Sequence, residues 1–354
     1  GSLPFRLEDV FISCVTMDFT PADNMMNIAF ITSLSEVIND ELVGKEVIDP
    51  ETKKSFGIRK GTLDSVAEEI ANKETELGKK FNFTAIVIND DEADVAEHWK
   101  KGEGYNTDFE LPVITASGTR TTTLKEITHV IPSSVWRGIP IPPKGSAERA
   151  DVLAQRKKLK LEYEGRICDA LKAAKVDLLV SNSYTNIIST KLLGEFKGRI
   201  INIHPAITCQ ENPCRLPGVT PTRDAYTRAT EGFVIVDDKK AVSLDGEEVT
   251  AEYNGEERKV IKFDPEHRYT HGVTVHVITA GVDEGPPILC KTYDILDHFS
   301  MDDNDNEKPK LTEEAIRDFN YKLKPSVLIE AILKYVQQED IVELIQKNRL
   351  ITSQ

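Results

Sequence analysis

The chain has 354 residues, of which 40% are hydrophobic, and this is enough for a core in one large domain or two small ones. Its 44 basic residues are outnumbered by 59 acidic residues, and the net charge of −15 disfavours a nucleic-acid partner, since a phosphate backbone is bound mainly by Lys and Arg. No apolar run reaches the roughly 18 residues that a membrane-spanning helix needs, so we expect no membrane partner.

Cysteine usage and the first residues indicate the compartment. The cysteines are few, odd in number and scattered, which favours a reduced, cytoplasmic protein. They are Cys14, Cys168, Cys209, Cys214 and Cys290. Cys209 and Cys214 lie near His204 in sequence, but no second ligand cluster follows, so we expect no metal. No charged and then apolar leader opens the chain, so we do not expect secretion.

The first half of the chain alternates strand-like and helix-like segments. Residues 26–31 and 84–88 are apolar runs typical of buried strands, and residues 62–80 have helical periodicity. A long helical segment over residues 146–175 then leads into another apolar strand over residues 177–181. This alternation predicts an α/β fold in which a Rossmann-like, mostly parallel sheet is flanked by helices.

The turn after the first strand is where an α/β phosphate binder carries its glycines. Here residues 32–36 contain Ser33 and Ser35 and no Gly-x-Gly. Two interpretations stay open for these serines. They cap the next helix, or they contact the substrate directly.

Two segments further along the chain carry chemically capable side chains. Residues 199–203 form an apolar strand that Pro205 ends, which leaves Asn202 and His204 two residues apart on one face. Residues 273–277 alternate valines with polar residues, as a second strand does. The loop that follows holds one carboxylate, Asp283, between two glycines.

An amide, an imidazole and a carboxylate together suit acyl transfer to an amine. The amide and an imidazolium can donate to an oxyanion, and the carboxylate can orient the imidazole and help to move the proton that the amine loses. No serine or cysteine nucleophile is needed, because the amine is itself the nucleophile. The alternative for His204 is a hydrogen-bonded core histidine. His276, in the middle of the second strand, is expected to order the loop rather than to touch the substrate.

Residues 232–269 have the pattern of an inserted small antiparallel β element. Alternating segments are separated by Asp-Gly at 245–246 and Asn-Gly at 254–255, which are hairpin signals. The sequence does not choose between a lid, a dimer surface and an element that selects the acceptor.

The chain is expected to divide into an N-terminal extension over residues 1–24, a main domain over residues 25–300 and a helical C-terminal tail over residues 301–354. Pro325 is expected in the first turn of a tail helix, because proline is tolerated there.

Three ordered motifs resemble the formyltransferase family that uses 10-formyltetrahydrofolate. They are Asn-x-His-Pro at residues 202–205, Gly-x-Thr-Val-His at residues 272–276 and Asp-x-Gly-Pro at residues 283–286. The resemblance extends over residues 27–295 and is strongest after residue 177. It implies the fold predicted above and makes 10-formyltetrahydrofolate the co-substrate.

The resemblance also assigns roles to residues. It implies that Asn202, His204 and Asp283 form the catalytic trio. The residues that would contact the co-substrate are Tyr184, Ile187, Ile188, Thr279, Gly281 and Val282. Core packing is the alternative for the two isoleucines. Arg215 could pair with a carboxylate of the folate or of the acceptor, or it could be a surface arginine. His271, where the family usually has threonine, either touches the co-substrate or points to solvent.

The acceptor is expected to be an amine or hydroxylamine of a small molecule. The missing glycine turn counts against glycinamide ribonucleotide, and the helical tail and acidic charge count against tRNA. Residues 206–208 and 217–221 look most like those of hydroxyornithine-type members. An N-hydroxyornithine-like acceptor is therefore the first expectation, and a sugar-nucleotide amine is the second. A 10-formyltetrahydrofolate hydrolase, a non-catalytic folate-binding subunit and a homodimer stay open.

Overall fold

The computed structural model describes residues 17–34, 46–48, 55–57, 61–239 and 244–353. Ser35 and most of the predicted N-terminal extension lie outside these described residues. Contacts along the chain define two compact units, Gly1–Ile200 and Ile201–Gln354. Within the described ranges, no helix is long and apolar enough to cross a membrane.

A parallel sheet organises the first unit. The strands of this unit are β1 (Met26–Thr32), β2 (Glu46–Ile48), β3 (Ser55–Gly57), β4 (Phe81–Ile88), β5 (Glu110–Thr115), β6 (Gly118–Thr123), β7 (Thr128–Val130) and β8 (Leu178–Asn182). Strand β1 pairs in parallel with β8 on one side and β4 on the other, and β4 pairs in parallel with β7. Two antiparallel pairs, β2 with β3 and β5 with β6, complete the unit.

Burial explains why the parallel strands have continuous apolar sequences. Every residue of β4 and β8 is buried, and so is β1 after its first residue. A strand covered on both faces gains nothing from alternating polar side chains. Phe30 of β1 and Phe83 of β4 stack with ring centroids 5.3 Å apart. The predicted α/β fold with a mostly parallel sheet is confirmed.

The helices of the first unit differ from the prediction at one point. They are α1 (Thr62–Ala71), α2 (Glu76–Lys80), α3 (Glu92–Lys100), α4 (Ser134–Arg137), α5 (Arg149–Ala173) and α6 (Thr190–Glu195). The single helix predicted over residues 62–80 is wrong, because a second helix begins after Thr75. The Thr75 hydroxyl accepts the backbone N–H of Gly78 at 2.9 Å, which is an N-terminal cap.

The second unit contains two antiparallel sheets. Its strands are β9 (Ile200–His204), β10 (Phe233–Ile235), β11 (Glu248–Tyr253), β12 (Glu256–Lys262), β13 (Thr270–Val277) and β14 (Pro287–Asp294). Strand β13 pairs with β9 on one side and β14 on the other. Strand β12 pairs with β10 and β11, and these three strands are the predicted inserted β element.

The helical C-terminal tail is confirmed, but the expected position of Pro325 is wrong. The helices of the second unit are α7 (Pro221–Glu231), α8 (Ile295–His298), α9 (Glu313–Val336) and α10 (Glu339–Thr352). Pro325 lies inside α9. The helix begins much earlier because the Thr312 hydroxyl accepts the Ala315 N–H at 3.0 Å. One backbone hydrogen bond is missing at the proline, and the rest of the helix continues past it.

The buried carboxylate of Glu164 joins α5 to the start of α6, so we expect its removal to lower the free energy of unfolding. It accepts the backbone N–H of Ser189 at 2.8 Å and of Leu192 at 3.2 Å, and the residue is 1% exposed. Glu164→Ala leaves both donors unpaired, and each should cost about 1–3 kcal/mol of unfolding free energy. Urea unfolding followed by circular dichroism measures this loss. The matched control is Glu162→Ala on the exposed face of α5, and an equal loss in both variants would contradict the assignment.

Candidate active site

Strand pairing in the second unit brings the predicted amide and imidazole side chains to one face. In the register of β9 and β13, Asn202 lies opposite His276 and His204 lies opposite Thr274. Directly opposed residues of an antiparallel pair share a face, and so do residues two apart along one strand. All four side chains therefore project from the same face of this sheet.

The carboxylate of Asp283 lies against both histidines. Its Oδ2 is 3.7 Å from His204 Nδ1, and its Oδ1 is 3.5 Å from His276 Nε2. The backbone N–H of Gly218 donates to Oδ2 at 2.9 Å. The Asp283 side chain is only 13% exposed, so water screens these interactions weakly.

A backbone hydrogen bond and a close backbone contact bring the loop that carries Asp283 back to the end of β13. The N–H of Val277 donates to the carbonyl of Pro286 at 3.0 Å, which closes the loop. A Cβ on Gly285 would lie 1.6 Å from the Val277 carbonyl oxygen, so the close approach requires glycine. Asp283 itself has a φ of 52°, in the left-handed region that Asp tolerates better than most residues. The predicted co-substrate residues Thr279, Gly281 and Val282 lie in this same loop, with Thr279 exposed.

His204 is buried between two hydrogen-bond acceptors. Its Nε2 is 3.1 Å from the Leu216 carbonyl oxygen, and its Nδ1 faces Asp283. A neutral imidazole donates through one nitrogen only, whereas an imidazolium can donate to both acceptors. Burial nevertheless lowers the pKa of His204 below its ordinary 6.5; Asp283 opposes this shift, and His276 and Lys324 add to it. The resting imidazole is therefore neutral, and its surroundings are suited to a proton gained during a reaction.

Asp283 is an anion in this site. Burial by itself would raise the pKa of its carboxyl group, but the attraction of His204, a hydrogen bond from His276 and the Gly218 N–H together hold this pKa well below 3.8. The attraction of His204 requires an imidazolium, which the lowered pKa of His204 disfavours near neutral pH. The Gly218 N–H does not titrate, so the pKa of Asp283 stays low whether His204 is neutral or protonated.

His276 belongs to the cluster, and the sequence reasoning left it out of the catalytic trio. Its Nε2 is 3.2 Å from Asn202 Nδ2 as well as close to Asp283, and its Nδ1 is 3.1 Å from the Val277 carbonyl oxygen. A proton on Nε2 is directed to Asp283, while a lone pair there accepts from Asn202. The ring nitrogen that carries the proton of His276 thus decides which of the two it engages. The pairing of β9 with β13 reveals this role, and the sequence alone does not give that register.

The predicted co-substrate residues of the first unit lie on the turn after β8. The Tyr184 hydroxyl is 2.8 Å from that of Tyr163, and burial raises the pKa of Tyr184 to about 12. Ile187 is 58% exposed and Ile188 is 6% exposed. Core packing therefore describes Ile188, whereas Ile187 offers an apolar surface to solvent.

Two asparagines here were not among the predicted site residues. Asn182, the last residue of β8, has a buried Oδ1 without a hydrogen-bond partner in the described part of the chain. A buried polar atom left unpaired costs about 1–3 kcal/mol, so this acceptor is one that a polar heterocycle would use. The buried amide of Asn186, on the turn, instead engages the hydroxyls of Tyr163 and Tyr184.

Ser33, a predicted substrate residue, is engaged by the protein itself. Its hydroxyl donates to Asn89 Oδ1 at 2.6 Å and accepts the Thr185 N–H at 3.2 Å, and the residue is 4% exposed. Ser33 thus joins the end of β1 to the end of β4 and to the turn after β8.

Arg215 lines a cavity of about 360 Å³ beside the inserted β element. Lys262 adds a second positive charge to the lining, and Asp245 and Asp264 add negative charges. The Arg215 side chain is 9% exposed and lies 3.6 Å from the Asp245 carboxylate. Arg215 is therefore not a surface arginine, and the cavity presents charges of both signs.

His271 is fully buried, so the expectation that it could point to solvent is wrong. Its Nε2 is 2.9 Å from Asn320 Nδ2, and its ring meets Tyr293 edge-on with centroids 5.9 Å apart. Burial lowers the pKa of His271 well below 6.5, so this ring is neutral.

Comparisons with known proteins give one family. The sequence pattern of the formyl transferase family matches residues 119–232. The phosphoribosylglycinamide formyltransferase of Bacillus subtilis (strain 168) is 25% identical over 169 residues, which cover 48% of this chain and 60% of that protein. The match therefore spans less than two thirds of that relative.

A solved structure shares the fold. PvdF of pyoverdin biosynthesis, described as a structurally unique N10-formyltetrahydrofolate-dependent formyltransferase, has a TM-score of 0.56 at 20% identity, covering 87% of this chain and 98% of that one. The phosphoribosylglycinamide formyltransferase of Streptococcus pneumoniae TIGR4 has a TM-score of 0.40 at 18% identity, covering 87% of this chain and 99% of that one. The chain is therefore similar to the formyl transferase family over residues 119–232 and shares its fold with PvdF.

Proposed function

We propose that this protein transfers a formyl group from 10-formyltetrahydrofolate to an amine or hydroxylamine of a small molecule. The observation that carries the proposal is the cluster in which the Asp283 carboxylate faces His204 and His276, with Asn202 beside them. The match of residues 119–232 to the formyl transferase family supports formyl transfer, and the fold shared with the folate-dependent PvdF supports the co-substrate.

One unpaired group at the end of β8 fits the co-substrate. A pterin ring carries amide-type donors, and the buried Asn182 Oδ1 offers an acceptor. The exposed Ile187 adds an apolar contact. We propose that these residues and Tyr184 hold the heterocycle, while 10-formyltetrahydrofolate supplies an activated formyl carbon.

The catalytic steps follow from the charges of the cluster. The acceptor nitrogen forms a bond to the formyl carbon, whose bond to the folate nitrogen then breaks, and one proton passes from the acceptor nitrogen to the folate nitrogen. The Asn202 amide donates to the oxyanion that forms in between. His204 starts neutral. It takes up the proton that the acceptor nitrogen loses and gives it to the folate nitrogen as the bond to the formyl carbon breaks, and Asp283 and the Leu216 carbonyl favour its protonated form in between.

Removing either side chain should slow turnover. We expect Asn202→Ala, which removes an oxyanion donor, and His204→Ala, which removes the group that carries the proton, each to lower kcat by roughly a hundredfold to a thousandfold. Release of tetrahydrofolate, followed by absorbance in the presence of acceptor, measures this effect. His98→Ala, which removes a partly exposed histidine of the first unit paired with Glu103, is the control. Near-normal turnover in His204→Ala would refute the role of the cluster.

The protonation of His204 can be tested without substrate. We expect its imidazole to titrate below 6.5, because burial lowers its pKa. Asp283→Asn should lower this pKa further, since it removes the anion that favours the imidazolium. NMR titration of the free protein, with His204→Ala for assignment, measures both values.

The control for this titration is Glu284→Gln, which neutralises the exposed carboxylate next in the same loop and should leave the His204 titration unchanged. An imidazole that titrates above 6.5 in the wild-type protein, or a higher pKa in Asp283→Asn, would contradict the electrostatic account.

The cavity beside Arg215 supports an amino-acid-like acceptor. Its volume of about 360 Å³ is near the lower end of small-molecule sites, roughly 300–1,000 Å³. This size suits an ornithine-like molecule better than a sugar nucleotide. Charges of both signs match the ammonium and carboxylate of an amino acid. The segment that begins at Arg215 continues to Leu216 and Gly218, which contact His204 and Asp283.

Arg215 should therefore contribute to the affinity for the acceptor. We expect Arg215→Gln to raise the KM for N-hydroxyornithine roughly tenfold to a hundredfold, the value of one charge-assisted hydrogen bond of about 1.5–3 kcal/mol, with little change in kcat. Steady-state kinetics with varied acceptor measure this. Lys259→Gln, on the exposed side of β12 and outside the cavity lining, is the control. An unchanged KM in Arg215→Gln would remove the cavity from the acceptor site.

A further inference from the structure

Helix α9 carries one fully buried amide that reaches the end of β9, the strand of Asn202 and His204. Asn320 is 0% exposed. Its Nδ2 donates to the Pro205 carbonyl oxygen at 2.8 Å and lies 2.9 Å from His271 Nε2. Its Oδ1 accepts the Tyr293 hydroxyl proton at 2.7 Å. One side chain thus joins α9, β13, β14 and the residue that follows His204.

Only one orientation of this amide satisfies its partners. The Pro205 carbonyl has no proton, so it requires the NH₂ group of Asn320. The second proton of that NH₂ group then points to His271 Nε2, which must accept it. His271 is therefore neutral with its own proton on Nδ1, in agreement with its lowered pKa. His271 Nδ1 has no hydrogen-bond partner among the described residues, so the arrangement is kept at a cost in stability.

The hydrogen bond from Asn320 matters because Pro205 follows His204 directly. A hydrogen bond to the Pro205 carbonyl fixes the peptide between Pro205 and Ala206, just past the end of β9. The next residue, Ala206, lies in one apolar cluster with Leu216 and with Ile316 of α9. Leu216 supplies the carbonyl that contacts His204. Helix α9 therefore contacts both segments that hold His204, namely the residues directly after it and the segment that contains Leu216.

Helix α9 also carries a positive charge that acts on the imidazole of His204. Lys324, one turn after Asn320, is 2% exposed and disfavours the protonated form of His204. The charged or titratable groups that act on His204 are thus Asp283 from its loop, His276 from β13 and Lys324 from α9. A small displacement of the imidazole would change its distance to each of them.

We propose that Asn320 is a positioning residue for the formyl transfer, which holds His204 between Leu216 and Asp283 through its hydrogen bond to Pro205. This inference rests on the proposed function. It assigns to the C-terminal helix a part in catalysis, although the helix contributes no group to the catalytic trio.

The kinetic test separates positioning from folding. Asn320→Ala would leave three buried partners unpaired, so we choose Tyr293→Phe with Asn320→Leu. This double variant removes the Asn320 amide together with the Tyr293 hydroxyl, leaves two partners unpaired in place of three and adds no charge. Tyr293→Phe alone is the control. We expect the double variant to lower kcat roughly tenfold to a hundredfold below the control, the effect of about 1 Å of displacement, with both KM values unchanged. Equal kcat values in the two folded variants would overturn the proposal.

A second variant guards against a double variant that does not fold. Asn320→Asp keeps the shape of the side chain and the acceptor for Tyr293. When its carboxyl group is ionised it sets an oxygen against the Pro205 carbonyl, and when protonated it can donate to that carbonyl in place of the amide. We expect kcat of this variant to fall as the pH rises and the carboxyl group ionises, relative to the wild-type protein. A kcat that stays normal over a pH range in which carbon NMR shows the introduced carboxyl group to be ionised would also overturn the proposal.

A readout without substrate distinguishes failure of this inference from failure of the proposed function. The nitrogen NMR shifts of the His204 ring report its tautomer and hydrogen bonds near neutral pH. We expect them to move in the double variant and to stay at their wild-type values in Tyr293→Phe. Unchanged ring shifts refute positioning by Asn320, whereas moved shifts in a protein that transfers no formyl group support it and refute only the proposed reaction.

Discussion

The second unit depends on one buried anion. The Asp283 carboxylate has only limited access to water, so its charge must be balanced by the groups around it. The Gly218 N–H donates to it, and the rings of His204 and His276 lie against it, each from a different segment. The loop geometry follows from the same need, because the close approach at Gly285 and the left-handed backbone of Asp283 return the carboxylate to β9 and β13. The anion in turn keeps a neutral His204 ready to gain a proton.

The proposed role of His204 requires that its ring is held in place, and here the groups that hold it are backbone carbonyls. Leu216 contacts the His204 ring directly, while Asn320 secures the peptide after it through Pro205. The apolar cluster that contains Ala206, Leu216 and Ile316 joins these supports. Close-packed interiors transmit small displacements, so a substitution on α9 can reach the imidazole without touching the substrate.

Local sequence patterns were sufficient for the sheet and for the proximity of Asn202, His204 and Asp283. Buried strands such as β4 have continuous apolar sequences, and the spacing of Asn202 and His204 follows from the two-residue period of a strand. The pattern was insufficient where a single hydrogen bond decided an element boundary, as at Thr75 and Thr312. It was also insufficient for contacts distant in sequence. His276 joins Asn202 only through the register of two strands, and Asn320 reaches Pro205 from the last part of the chain.

The central claim is that the cluster around Asp283 moves a formyl group to an amine. The most direct measurement is mass spectrometry of the products formed from 10-formyltetrahydrofolate that carries an isotopically labelled formyl group, with N-hydroxyornithine and an amino-sugar nucleotide present together. The account predicts one labelled formyl group on the N-hydroxyornithine-type acceptor for each tetrahydrofolate released. Labelled formate with both acceptors unmodified would contradict the account, since water and not an amine would then be the group that attacks the formyl carbon.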